Sequence, residues 1–271
     1  MLVLATTPHQ NMQNIDKLKR LIHSSKKVLI TSHISPDPDA VASLLLCGTT
    51  LQLSYPDKDI KMVLEEEPVA LGFLSDYKKI LFKSVLKELE AQSPDLFILL
   101  DGNNYERISR DDGQKVRQLI AQKGIKTVVI DHHEPNDTDE NKVDIYINQG
   151  SPATTQDVYE LLFHKLRLKK PDGCAQTAML GLYADTGGFA YDNKRHSDTF
   201  KLADELVSEG AKIEEVKDAL NQFSDDDMNV FAELAQNTSH EADYNYSFLR
   251  DEFVNDWLES GKTAAELHKG T

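Results

Sequence analysis

The run KVLITSHISPDPD, residues 27–39, decides how this chain is read. Its first half, Lys27 to Ser32, is rich in aliphatic and β-branched residues and reads as a short strand. Its second half is polar and places His33, Asp37 and Asp39 directly behind that strand. A strand without polar alternation is one covered on both faces, as in a parallel sheet. The same arrangement recurs twice. LFILL (96–100) runs into Asp101-Gly102-Asn103, and TVVI (127–130) runs into Asp131-His132-His133. Weaker strand signals lie at 60–64 and 143–147. Stretches with helical spacing lie at 14–24, 39–53 and 110–123, the second opening at Asp39, a favoured cap type. From about Ala153 the chain turns mostly helical.

Strands alternating with helices predict an α/β fold: a parallel β-sheet flanked by helices, followed by a mostly helical segment. Ligands of such sheets gather beyond the carboxyl ends of the strands. Three strands ending in metal-capable residues therefore mark one edge of one sheet. The expected division is a catalytic domain over 1–238. A polar passage, NTSHEADYN, leads into a remainder at 239–271, too short to build its own core.

The chain of 271 residues carries a net charge of −15. Proteins that hold long nucleic acid need basic surface to displace counterions, so long duplex is excluded as a partner. A phosphate-rich substrate must be small or be held by cations. No apolar run reaches membrane-spanning length, and the N-terminus lacks the basic lead of a signal peptide. Cys47 and Cys174 sit in apolar helical patterns and read as buried thiols, which fits a cytoplasmic location. A homodimer is left open.

His33, Asp37, Asp39, Asp101, His132, His133 and Asp185 supply carboxylates and imidazoles but no thiolate. That mixture suits Mn²⁺ or Mg²⁺ rather than a closed zinc site. Asp37 and Asp39, separated by Pro38, can address two neighbouring ions. Two ions need a bridging carboxylate, and Asp101 is the candidate because its strand should lie centrally. Taken singly, each piece has a plain reading: Asp39 as a helix cap, Asp101-Gly102-Asn103 as a turn, Asp185 as a loop former.

Together, H-x3-D-x-D (33–39), D-G-N (101–103), D-H-H (131–133) and D-T-G-G-F (185–189) resemble the DHH phosphoesterase family, over residues 14 to 240. The likeness is to its nanoRNase and pAp phosphatase branch, kin of the RecJ exonucleases. The resemblance implies one Mn²⁺ held by His33, Asp37 and Asp101, and a second by Asp39, Asp101, His132 and Asp185. It implies that Asp101, His132 and His133 take part in catalysis, with His133 on the substrate phosphate. It also implies hydrolysis of short oligonucleotides, linear dinucleotides or pAp by a metal-activated hydroxide. Two departures stand out. Ala42 occupies a position where the family commonly has glycine. The G-G-G-H motif of the family's smaller substrate-binding domain does not occur, so the expectation is either a truncated C-terminal part or a member that works without that domain.

Lys194, Arg195 and His196 form the basic cluster nearest the motifs in sequence and are candidate phosphate contacts. Ser151 to Thr155 can aim a helix N-terminus at the site. The alternative functions are a pyrophosphatase or polyphosphatase using the same cluster, and a metal- or nucleotide-binding module without turnover.

Overall fold

The computed structural model describes residues 8–68, 71–133, 143–191, 195–221, 225–241 and 245–261. The chain forms two compact units, Met1–Leu220 and Asn221–Thr271. The first is built on a six-stranded sheet in the order β3-β2-β1-β4-β5-β6. Its strands are β1 (Lys27–Thr31), β2 (Asp59–Leu64), β3 (Ile80–Phe82), β4 (Leu96–Leu100), β5 (Lys126–Ile130) and β6 (Ile145–Ile147). Every pairing is parallel. The expected α/β class is what the structure has.

The apolar runs are explained by two cores, one on each face. Val28, Ile30, Ile98, Leu100, Val128 and Ile130 point into the larger core. Their neighbours Leu29, Phe97, Leu99 and Val129 point into the other. Alternate residues of one strand thus enter opposite cores, so the middle of each strand is apolar on both faces. Helix α2 (Pro38–Ser54) is buried from Asp39 to Leu51 and packs on helix α6 (Cys174–Asp185) as well as on the sheet. That is why its sequence is apolar all round rather than striped. Helices α3 (Val85–Gln92) and α4 (Gly113–Lys123) contribute to the second core. Neither α3 nor β3 was anticipated. β3 has three residues, too few to show a period, and α3 carries Glu88 on its buried side, paired with Lys61 at 2.6 Å.

Sheet order fixes where the functional residues go. From β1 the chain moves outward through β2 and β3, then returns to the other side of β1 as β4, β5 and β6. The direction of winding switches between β1 and β4, the position where open α/β sheets form a crevice. His33 follows β1, Asp101 follows β4, and Asp131 to His133 follow β5, so three adjacent strands deliver them side by side. Two backbone bonds extend the ladder past the strand ends: Asp101 N–H to the Ile130 carbonyl at 2.9 Å, and Asp131 N–H to the Ile147 carbonyl at 3.0 Å.

The second unit holds a helix (Asp225–Gln236), a two-stranded antiparallel hairpin (Thr238–His240 and Asn245–Ser247) and a further helix (Asp251–Glu259). Val230 and Trp257 form its small core, and Arg250 Nε bonds Glu233 at 2.6 Å. Position 238, the expected domain end, falls on the first strand of this hairpin. Cys47 and Cys174 are both free and buried, as expected. Among the described residues no helix is long and apolar enough to cross a membrane.

Candidate metal centre

His33 follows β1 with its ring buried. Its Nδ1 lies 2.7 Å from the Ile34 carbonyl. A carbonyl only accepts, so Nδ1 carries the hydrogen and the lone pair of the neutral ring sits on Nε2. Nε2 faces Asp101 Oδ2 at 3.4 Å and Asp37 Oδ2 at 3.8 Å. Asp37 Oδ1 accepts from Ala40 N–H at 2.9 Å and is the N-cap of α2. This corrects the expectation that Asp39 opens the helix. Asp37 takes the cap because Pro38 is preset for the first helical position. Asp39 is thereby moved into the first turn and fully buried.

Buried there, Asp39 is met by the start of helix α5 (Thr154–Tyr159). Thr154 N–H donates to its Oδ2 at 2.7 Å, and Thr155 N–H to its Oδ1 at 2.9 Å. The Ser151–Thr155 segment does aim a helix N-terminus at this site, but its target is a carboxylate of the chain itself. Asp101 has φ +53°, a left-handed conformation that costs an aspartate free energy. That turn swings its side chain between His33 and His132. Asp101 Oδ1 lies 3.7 Å from His132 Nε2, and Asp185 Oδ2 lies 3.2 Å from the same nitrogen. Asp185 ends α6. The turn after it is closed by Thr186 Oγ, which donates to the Leu182 carbonyl at 2.7 Å and accepts from Phe189 N–H at 3.0 Å.

Among the described residues, ligand-capable atoms therefore fall into three groups, each within 4.8 Å: His33, Asp37 and Asp101; Asp39, His132 and Asp185; and Asp101, His132 and His133. Among the described residues, the buried atoms His33 Nε2, Asp101 Oδ2 and His132 Nε2 have no hydrogen-bond partner. Buried polar atoms left unmatched cost stability. Three of them, converging from three strand ends, fit hard or borderline cations that would satisfy them.

The electrostatics point the same way. Burial raises the pKa of Asp39 well above the usual carboxylate range, and the charges of Asp101 and Asp185 add to it. Burial and the Asp101 charge also raise that of Asp37. Burial disfavours the His132 imidazolium, but Asp185, Asp39 and Asp101 outweigh it and raise its pKa to about 9. For His33 burial is likewise outweighed by Asp101, the Ile34 carbonyl and Asp37. Asp101 moves the other way: burial opposes its ionised form, yet His33 and His132 keep its pKa low. These carboxylates favour positive charge beside them. A metal cation competes with protons for the imidazole lone pairs.

His133 packs against His132, with ring centroids 4.2 Å apart, and its side chain is partly open to solvent. Its Nδ1 donates to Asp131 Oδ1 at 2.8 Å, its backbone N–H bonds the same oxygen at 3.3 Å, and its carbonyl accepts from Asn148 Nδ2 at 2.7 Å. Asp131, fully buried, is thus an orienting residue for His133 that the motif reading did not single out.

Arg195 and His196, the two described members of the basic cluster, have partners within the chain. Lys194 lies outside the described residues. His196 stacks on Phe200, with centroids 5.2 Å apart and planes 7° from parallel. The Arg195 guanidinium bonds both Glu160 oxygens at 2.9 and 3.0 Å and Ser151 Oγ at 2.5 Å, and lies 3.7 Å from Asp157. A forked guanidinium held this way is a structural tie. Arg195→Lys is expected to destabilise the chain by about 1–3 kcal/mol through lost hydrogen bonds, seen in thermal unfolding, and to leave KM nearly unchanged. A tenfold rise in KM at unchanged stability would point instead to substrate contact.

A family model described as "DHH family, N-terminal domain" matches residues 27–184. A Bacillus subtilis (strain 168) protein, "Bifunctional oligoribonuclease and PAP phosphatase NrnA", is 29% identical over 222 residues, covering 79% of this chain and 62% of that protein. Its Mycoplasma pneumoniae namesake is 29% identical over 209 residues, covering 75% and 59%. The chain thus spans 62% and 59% of the length of these two relatives. A crystal structure of an exopolyphosphatase-related protein from Bacteroides fragilis superposes with a TM-score of 0.75 at 22% identity, covering 98% of this chain and 75% of that one. At that identity the likeness concerns the fold.

Proposed function

The chain belongs to the DHH family, and from that premise we propose that it is a metal-dependent phosphoesterase acting on short oligonucleotides, linear dinucleotides or pAp. The observation that carries this reading is the convergence of His33 Nε2, Asp101 Oδ2 and His132 Nε2, buried and unbonded, among four carboxylates. His33, Asp37 and Asp101 would hold one divalent cation, and Asp39, Asp101, His132 and Asp185 a second, with Mn²⁺ as the expected ion. Bound there, the cations supply Lewis acidity to the phosphate and acidify an attacking water.

The protein's own residues do the rest. Asp101 presents two oxygens to opposite sides, Oδ2 toward His33 and Oδ1 toward His132, and so can serve both groups. Asp131 fixes the His133 ring through Nδ1, which leaves Nε2 to meet a phosphate oxygen. The names of the Bacillus and Mycoplasma relatives support a short nucleotide substrate, and so does the net charge of −15, which opposes capture of long strands.

The test is a substrate panel of pAp, dinucleotides, five-nucleotide RNA, long single-stranded DNA and pyrophosphate, run with chelator and with added Mn²⁺. Turnover of the short substrates with Mn²⁺, and none in chelator, is the expected outcome. Preference for pyrophosphate would favour the polyphosphatase reading, and restoration by Zn²⁺ alone would overturn the choice of metal. No turnover of any member would leave a binding module.

A further inference from the structure

One residue outside the motifs touches three of the proposed ligands. Thr154 N–H donates to Asp39 Oδ2 at 2.7 Å. Thr154 Oγ lies 2.8 Å from Asp101 Oδ1 and 3.2 Å from the His132 backbone nitrogen. The direction of the last two bonds is determined. A backbone N–H can only donate, so the threonine oxygen accepts from His132, and its own hydrogen goes to the carboxylate of Asp101. All the groups concerned except His132 are fully buried, where hydrogen bonds are strong and missing ones are costly.

Asp39 comes from α2, Asp101 from the end of β4 and His132 from the end of β5. Thr154 is thus the joint at which three separate elements are brought to one geometry. In the other group only the shared Asp101 meets it: His33 is held by the Ile34 carbonyl and Asp37 by Ala40 N–H. The bond to Asp101 Oδ1 also leaves Oδ2, the unbonded oxygen, on the His33 side.

Resting on the two-metal reading above, we propose that Thr154 is a positioning residue that preforms the Asp39–His132–Asp185 half of the centre and sets which oxygen of Asp101 each half receives. Loss of its hydroxyl weakens that half selectively. Outer partners of metal ligands, when removed, typically change affinity by about 10- to 100-fold.

The experiment compares wild type with Thr154→Ser, which keeps the hydroxyl, and with Thr154→Val and Thr154→Ala, which lack it. Chelator-stripped full chain is titrated with Mn²⁺, with free Mn²⁺ followed by its electron paramagnetic resonance signal. Circular dichroism and thermal melts are recorded without metal. Wild type and Thr154→Ser should bind two Mn²⁺ per chain with affinities within about threefold of each other. Thr154→Val and Thr154→Ala should remain folded, bind one ion near wild-type affinity and bind the second at least about tenfold more weakly. Two ions bound normally by Thr154→Val overturn the proposal, as does a Thr154→Ser variant as deficient as Thr154→Val. Variants unfolded with and without Mn²⁺ also overturn it, in favour of a purely structural role. A wild-type protein that binds no Mn²⁺ overturns the two-metal reading itself, and the inference with it, which separates the two failures.

Discussion

Asp101→Asn is expected to lower Mn²⁺-dependent hydrolysis of a dinucleotide by at least about a thousandfold, equivalent to ~4 kcal/mol of transition-state stabilisation. The substitution is nearly isosteric. The amide oxygen can still accept from Thr154 Oγ, which lies 2.8 Å from Oδ1 in the wild type. The amide NH₂ then takes the place of Oδ2, facing His33 Nε2 across 3.4 Å. An NH₂ group has no lone pair for a metal, so the position beside His33 loses its ligand atom, and the position beside His132 keeps only a neutral amide oxygen in place of a carboxylate. His33 and His132 also lose the negative charge that raises their pKa values. The measurement is the rate at saturating Mn²⁺ together with Mn²⁺ stoichiometry. Retention of more than a tenth of the wild-type rate would show that Asp101 does not join two metals.

Gly181→Ala is the second large effect, and its cause is space alone. Gly181 lies inside α6 where that helix crosses α2 and α5. A Cβ there would sit 2.1 Å from Thr155 Oγ, 2.9 Å from Ala42 Cβ and 2.9 Å from Asp39 Oδ1. None of these neighbours is the far end of a flexible side chain, and all are buried. Overpacking of this kind costs about 1–3 kcal/mol or more, a fall in Tm of roughly 2–4 °C per kcal/mol for a domain of this size. Because Asp39 is among the displaced groups, Mn²⁺ affinity should fall as well. Gly72→Ala, with nothing within 4 Å of the added carbon and no positive φ, is the control expected to change neither. Equal melting temperatures for Gly181→Ala and wild type would contradict the close helix contact. The same contact accounts for Ala42. With its methyl against α6, the small residue at this crossing is Gly181 on α6, so α2 can carry alanine where the family commonly has glycine.

Much of the centre was legible because its parts are local. The runs at 28–30, 96–100 and 128–130 show their covered state residue by residue, since in a strand each neighbour enters the opposite face. Residue types able to hold a metal follow directly at 33, 101 and 132. What could not be read locally was the partner of each group. Asp37 and Asp39 look alike as caps, and Pro38 decides between them only once the helix has formed. Arg195 looks like a free cation until Glu160 and Asp157, from the helix beginning at Thr154 and its continuation, close around it. Thr154 and Thr155 have no metal-ligating chemistry of their own, so only their position against Asp39 shows their use.

The sequence by itself determined the α/β class, the strand ends at which polar residues gather and the set of carboxylates and imidazoles available there. Those features depend on a period of two along a strand and on residue chemistry, both local. The tertiary structure decided which of these residues meet, because β1, β4 and β5 are neighbours only through pairings between distant segments. It also decided that the meeting is held by Thr154, Thr155 and Gly181. A buried carboxylate has to be satisfied by whatever group the fold brings within hydrogen-bond reach, and that group is not adjacent in the chain.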